Sequence, residues 1–129
     1  PDSVRFAIDT LNNFKSDGRK IFVCGDMLEL GNNSELLHSG LGTLISQSKV
    51  DILLTAGKHA EKIYQRVLEL RTPLEIVRHF TALSEASCFL NDILRAGDVV
   101  LIKGSRSMHM EEIVKVLSQF RRLTVSPLK

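Results

Sequence analysis

The apolar run Val99-Val100-Leu101-Ile102 empties into Lys103-Gly104-Ser105-Arg106, and a helix-like pattern begins at Met108. Two cations, a glycine and a hydroxyl between a buried strand and a helix start are the parts of an anion site. Glycine lets the backbone come close, the first helical turn offers free N–H groups, and Lys103 and Arg106 supply neutralising charge. The plainer reading is a strand-to-helix turn with two solvated cations, and spacing alone leaves both open. A second loop, Gly25-Asp26-Met27-Leu28-Glu29-Leu30-Gly31, also follows an apolar strand. Its acids, Asp26 and Glu29, suit a ribose hydroxyl, the water shell of a magnesium ion or a substrate amine; the alternative is a solvated loop flanked by glycines.

Other residues are less specific. His38 lies in a helical pattern beside Leu37, where a surface or satisfied histidine is the commoner outcome, and His109 stands at the mouth of the last helix. Two well-known phosphate motifs, G-x-x-x-x-G-K-[ST] and G-x-G-x-x-G, do not occur, so neither P-loop nor dinucleotide binding is expected of this chain. Gly57-Lys58-His59 lacks the upstream glycine and reads as a turn and a helix start. The four histidines are far apart with no ligand spacing, so no metal site is expected. Cys24 and Cys88 sit in an apolar strand and an apolar helix face and read as small buried hydrophobes. No nucleophile–base pair is assignable from local sequence.

The elements that must position these loops alternate along the chain. Val4, Ala7, Ile8, Leu11 and Phe14 make an amphipathic helix, begun by Pro1, Asp2 and Ser3 and ended at Asp17-Gly18. A strand over 20–24 follows, then a helix capped by Ser34 and carrying Leu37, Leu41, Leu44 and Ile45. The pattern repeats as a strand over 52–55, a helix on Ala60, Ile63, Tyr64, Val67 and Leu68, a short strand over 75–77, and a helix on Leu83, Ala86, Leu90, Ile93 and Leu94. Gly97 closes that helix as a C-cap. The strand over 99–102 and a helix on Met110, Ile113, Val114 and Leu117 complete the series, with an edge strand over 123–125. Such alternation predicts an α/β fold: a three-layer, Rossmann-like, mostly parallel sheet with helices on both faces. In open sheets of this kind ligands bind beyond the carboxyl ends of the strands, where Gly25-Asp26, Thr55-Ala56-Gly57 and Lys103-Gly104-Ser105 all fall.

Composition sets the limits. The chain has 129 residues, 43% hydrophobic and 25% charged, which suits one globular domain with a real core. A net charge of +2 with scattered cations argues against nucleic acid. No apolar run approaches the ~20 residues that cross a bilayer. The first residue is Pro1, already in a helix-start signal, and a piece of a longer protein is expected.

The strings Pro1-Asp2-Ser3-Val4-Arg5, Val23-Cys24-Gly25-Asp26-Met27-Leu28-Glu29-Leu30-Gly31, Ser34 with His38, and Gly97 through Met108 resemble the C-terminal domain of the Mur ligases. The resemblance runs over nearly the whole chain in order and spacing. G-D-M-x-E-L-G and K-G-S-R-x-M point to the branch that adds D-Ala-D-Ala to UDP-MurNAc-tripeptide in peptidoglycan precursor synthesis. It implies a cytoplasmic enzyme of three domains, monomeric, in which ATP with Mg²⁺ activates the tripeptide carboxylate as an acyl phosphate and the dipeptide amine attacks it. This chain would be the third domain, without its first strand, partnered by the N-terminal and central domains, and inactive alone. Lys103, Gly104, Ser105 and Arg106 become candidates for the D-Ala-D-Ala carboxylate; Asp2, Asp26, Glu29 and His38 become candidates for the nucleotide or amine side. No catalytic residue is assigned to it.

Two other classes compete. A stand-alone flavodoxin-like binding module, such as a phospho-receiver, would use Asp26, Thr55 and Lys103 as acid, hydroxyl and lysine. It lacks paired acids after the first strand, and Asp51 precedes its strand. A purely structural fragment is the third possibility.

Overall fold

The computed structural model of the chain describes residues 2–27, 34–104 and 124–127, with side chains over 4–27 and 36–104. Helix α1 (Asp2–Asn13) turns Val4, Ala7, Ile8 and Leu11 inward. It leads into strand β1 (Lys20–Gly25), helix α2 (Ser34–Ser46), strand β2 (Ile52–Ala56), helix α3 (Glu61–Glu69) and strand β3 (Ile76–Phe80). Helix α4 (Leu83–Ile93), strand β4 (Val99–Lys103) and strand β5 (Thr124–Pro127) follow.

The five strands form one parallel sheet in the order β3-β2-β1-β4-β5. Parallel strands need crossovers, and the apolar stripes of the helices supply the cover for both faces. Successive side chains of a strand point to opposite faces. Phe22, Leu53 and Leu101 therefore pack with α1, α2 and α3, and Ile21, Val23, Leu54, Val100 and Ile102 pack with Ala86 and Leu90 of α4. The three-layer α/β expectation holds.

The winding direction reverses between β1 and β4, because β2 and β3 are laid down on one side of β1 and β4 on the other. That is the switch point at which open α/β sheets bind ligands. The opposite, amino edge is closed by a buried ion pair. Asp98 accepts from Arg19 Nε at 3.2 Å and Nη2 at 2.7 Å, and from the backbone N–H groups of Arg19 and Arg95. Arg19 also donates to Glu75 at 2.8 Å and to the Ile93 carbonyl at 2.7 Å, tying β1, β3, α4 and β4 together.

Several local expectations shift. Phe14 falls beyond the end of α1 and is exposed, so the inward stripe stops at Leu11. Strand β3 runs over Ile76–Phe80, not 75–77, because its parallel register with β2 carries it through the polar pair Arg78-His79. Gly97 is not the cap of α4, whose C-cap Leu94 is extended; with φ +91° it makes the turn in which the Asp98 N–H reaches the Arg95 carbonyl. Leu68 and Cys88 are exposed, whereas Cys24 is buried as expected. The edge strand begins one residue later than expected and runs through Pro127, whose missing N–H is tolerated at a sheet edge. The helix expected on Met110, Ile113, Val114 and Leu117 lies outside the described residues.

Candidate functional site at the carboxyl edge

Strand β1 delivers Asp26 and Met27 to the carboxyl edge, and β4 delivers Lys103 and Gly104 beside them. Cys24 and Lys103 are register partners across the two strands. The buried Cys24 thiol reports on both loops. Burial pushes its pKa up to about 12, with the Asp26 carboxylate adding to the rise and the Lys103 ammonium opposing it. The switch point thus carries an acid and a base within electrostatic reach of one thiol. Lys103, the last residue of β4, is only 7% exposed.

Asp26 is 6% exposed and already has work to do. Its Oδ1 accepts the backbone N–H of Ala60, the residue that starts α3, at 2.7 Å. A carboxylate on a helix N-terminus satisfies an otherwise orphaned donor and the helix dipole together. Gly57, at φ +108°, lies so close that a Cβ there would stand 2.6 Å from the same oxygen. The Gly57-Lys58-His59 turn therefore receives the protein's own anion from the next loop. The free loop acid expected from sequence is in fact a clasp between β1 and α3.

Of the two common outcomes expected for His38, surface or satisfied, the structure shows the satisfied one. It projects from α2 into the interior with no exposed surface. Its Nε2 accepts the Met27 backbone N–H at 3.1 Å, and its ring lies 6.0 Å from that of His59. Direct contact with a substrate is closed to it. A third polar contact was not foreseen. Thr55 Oγ1 and His79 Nδ1 are 2.7 Å apart on adjacent strands, with His79 Nε2 3.6 Å from Glu61 and the Tyr64 ring 5.7 Å away. Burial draws the His79 pKa below the ordinary histidine value, and the charges of Glu61 and Asp26 offset only part of that. No sequence motif marks this pair; only the register of β2 on β3 brings it together.

Asp2 opens α1, but its side chain, with Glu29, Ser105, Arg106 and His109, lies outside what is described. Among the described residues no group of three or more His, Cys, Asp or Glu side chains is arranged to hold a metal ion. No described helix is long and apolar enough to cross a membrane.

The receiver-like alternative does not survive this geometry. Asp51 sits at the amino edge and accepts the Lys20 N–H at 2.8 Å, while Asp26 caps α3. The described strands also run 3-2-1-4-5, whereas flavodoxin-like sheets run 2-1-3-4-5.

Comparison with known proteins decides the family. The Mur ligase, glutamate ligase domain family matches residues 1–106. This chain belongs to the Mur ligase family. A Bacillus subtilis relative named UDP-N-acetylmuramoyl-tripeptide–D-alanyl-D-alanine ligase is 36% identical over 117 residues, 91% of this chain and 25% of the relative. The Escherichia coli ligase of the same name is 32% identical over 104 residues, 79% of this chain and 22% of the relative. Among solved structures, MurF from Acinetobacter baumannii superposes with TM-score 0.75 at 28% identity, covering 93% of this chain and 25% of that one. MurF from Thermotoga maritima, solved in complex with ADP, superposes with TM-score 0.72 at 26% identity, over 92% and 26% of the two chains. The Mur ligase domain described here spans about a quarter of the length of these relatives.

Proposed function

We propose that this chain is the C-terminal, third domain of a cytoplasmic ligase that joins D-Ala-D-Ala to UDP-MurNAc-tripeptide. Its carboxyl edge would hold the incoming dipeptide while the domain closes over the rest of the enzyme. The observation that carries this reading is the adjacency of β1 and β4 at the switch point, which puts Lys103-Gly104 and Asp26-Met27 side by side at the carboxyl edge. The names of the relatives, matched over most of this chain, support the substrate assignment.

In this reading Lys103 is a nearly buried cation at the end of β4, and Ser105 and Arg106 follow it directly in sequence. A carboxylate needs a charge and a fork of donors, and a guanidinium provides the fork bidentately. The contribution of the domain is orientation of the dipeptide amine and exclusion of water, both of which can be large terms in an acyl transfer.

ATP and magnesium fit this domain poorly. Asp26, the carboxylate of the β1 end, has its Oδ1 engaged by α3, no described group of acids is arranged for a metal ion, and the sequence has no P-loop. Both are therefore assigned to the other three-quarters of the enzyme, and the ADP-bound relative is consistent with nucleotide binding in the whole ligase. The first strand of the sheet, a monomeric state and closure against N-terminal and central domains belong to the same proposal.

The test is steady-state kinetics of the intact ligase. Arg106→Ala is expected to raise the apparent KM for D-Ala-D-Ala by about tenfold to a hundredfold, the equivalent of a charge-assisted hydrogen bond of roughly 1.5–3 kcal/mol. The apparent KM for ATP should change far less. Equal effects on the two substrates would remove the carboxylate assignment.

A further inference from the structure

The loop after β1 is fastened at its first two residues by two different helices. Asp26 is held by the Ala60 N–H of α3, and the Met27 N–H is held by His38 of α2. The Met27 side chain is itself buried in the core beneath α1, α2 and α3. A histidine with no exposed surface is an expensive way to fill a core position unless it satisfies a donor that nothing else reaches. Here that donor is a backbone N–H immediately past a strand end, where the sheet ladder has stopped.

The hydrogen bond also fixes the chemistry of the ring. An Nε2 that accepts is bare, so the ring proton sits on Nδ1. We propose that His38 is a positioning residue for the ligase reaction. As a neutral, Nδ1-protonated imidazole it pins Met27, and so fixes Asp26 and Met27, the carboxyl end of β1, beside Lys103 of β4. His38 touches no substrate; it acts through the loop. This role rests on the ligase reading above and goes beyond it, because it assigns the loop geometry to a buried side chain of α2 and not to the loop itself. The His59 imidazole faces the ring at 6.0 Å, and the Asp26 carboxylate belongs to the residue before Met27. Neither replaces the acceptor, since Asp26 Oδ1 is engaged by α3.

Two variants of the intact ligase separate positioning from simple packing. His38→Leu keeps the volume and loses the acceptor; His38→Gln places an amide oxygen at nearly the reach of Nε2. Misplacement of a reacting partner by about 1 Å costs up to about a hundredfold, so His38→Leu should lower kcat/KM for D-Ala-D-Ala by about tenfold or more. The apparent KM for ATP should stay unchanged, and His38→Gln should recover most of the loss. Thermal unfolding of each variant, read beside the kinetics, corrects the rates for folded fraction. A loss that tracks folded fraction alone, or no rescue by glutamine, overturns the proposal. If His38→Leu does not fold, nitrogen-15 histidine spectra of the wild-type enzyme decide. An unprotonated, hydrogen-bonded Nε2 is expected, and a protonated Nε2 overturns the role. Wild-type enzyme without D-Ala-D-Ala-dependent phosphate release would instead overturn the ligase reading itself. An active wild type whose His38→Leu variant keeps full kcat/KM would overturn the His38 role alone.

Discussion

Arg19 and Asp98 meet side-on at the amino edge of the sheet, Nε on Oδ1 at 3.2 Å and Nη2 on Oδ2 at 2.7 Å. The carboxylate is 2% exposed and the guanidinium 13%, so removal of either partner leaves the other poorly solvated. Asp98→Ala should cost about 3–5 kcal/mol, the usual penalty for breaking a buried pair. Urea unfolding of the chain at neutral pH measures it.

The same pair sets an acid limit. Burial alone would raise the Asp98 pKa, but the hydrogen bonds from Arg19 and Arg95 outweigh it and hold the carboxyl below its ordinary value. A depressed carboxylate stabilises fully above its unfolded pKa of about 3.9 and loses that contribution as pH falls through the lower folded value. Unfolding free energy should therefore drop below about pH 4 in the wild type. Asp98→Asn should show a shallower drop, and identical slopes would show that another group controls the acid limb.

Gly57 and Asp26 make a second exacting contact, on the carboxyl edge. Gly57→Ala must place a Cβ at φ +108° and 2.6 Å from the Asp26 carboxylate. Strained backbone and overpacking together suggest about 2–4 kcal/mol of destabilisation. Asp26→Gly alone should cost about 1 kcal/mol through the lost helix cap. The double variant should cost less than the sum, because removing the carboxylate removes the clash. Strict additivity would place the strain in the backbone only.

Sequence reading succeeded where one periodicity dominated. The runs 20–24, 52–55 and 99–102 are apolar without interruption, as strands buried on both faces must be, and all three became central strands. It failed at β3, where Arg78 and His79 sit at the edge of the sheet and break the apolar run although the register with β2 continues. That the chain after β1 and after β4 reaches one edge was legible, because both apolar runs end in glycine and charge and their register sets them side by side. What they do was less legible. Asp26 is an acid in a loop by sequence, but its partner is Ala60, 34 residues away, and no local pattern announces a cap supplied by a distant strand. His38 and the Thr55–His79 pair were hidden for the same reason, since each bond crosses between elements.

The two thiols should differ sharply in reactivity. Cys88 is exposed on α4, whereas Cys24 is fully buried and its pKa stands at about 12. Only a thiolate is an effective nucleophile, so Cys24 is protected by access and by protonation together. Native protein at pH 8 should release one equivalent of thionitrobenzoate from Ellman's reagent, and unfolded protein two. Rapid release of both from native protein would mean that β1 opens at its carboxyl end.

His79 gives the chain a stability slope near neutrality. Burial lowers its pKa, with Glu61 and Asp26 restoring only part of it, so the folded state prefers the neutral ring. Between the folded value and the unfolded value of about 6.5, the unfolded chain binds more protons than the folded one. The contribution of His79 is therefore complete above about pH 6.5 and is lost as pH falls from there toward the folded value. Glu61, 3.6 Å from Nε2, moderates the loss, because it favours the protonated ring. Comparing urea unfolding of wild type and His79→Gln at pH 5.5 and 7.5 isolates this effect from the other histidines. The wild type should lose more stability than the variant on acidification. If Glu61→Gln is made in the wild-type background, the acid loss should deepen, since the moderating charge is gone; a shallower loss would mean that Glu61 and His79 do not interact in solution.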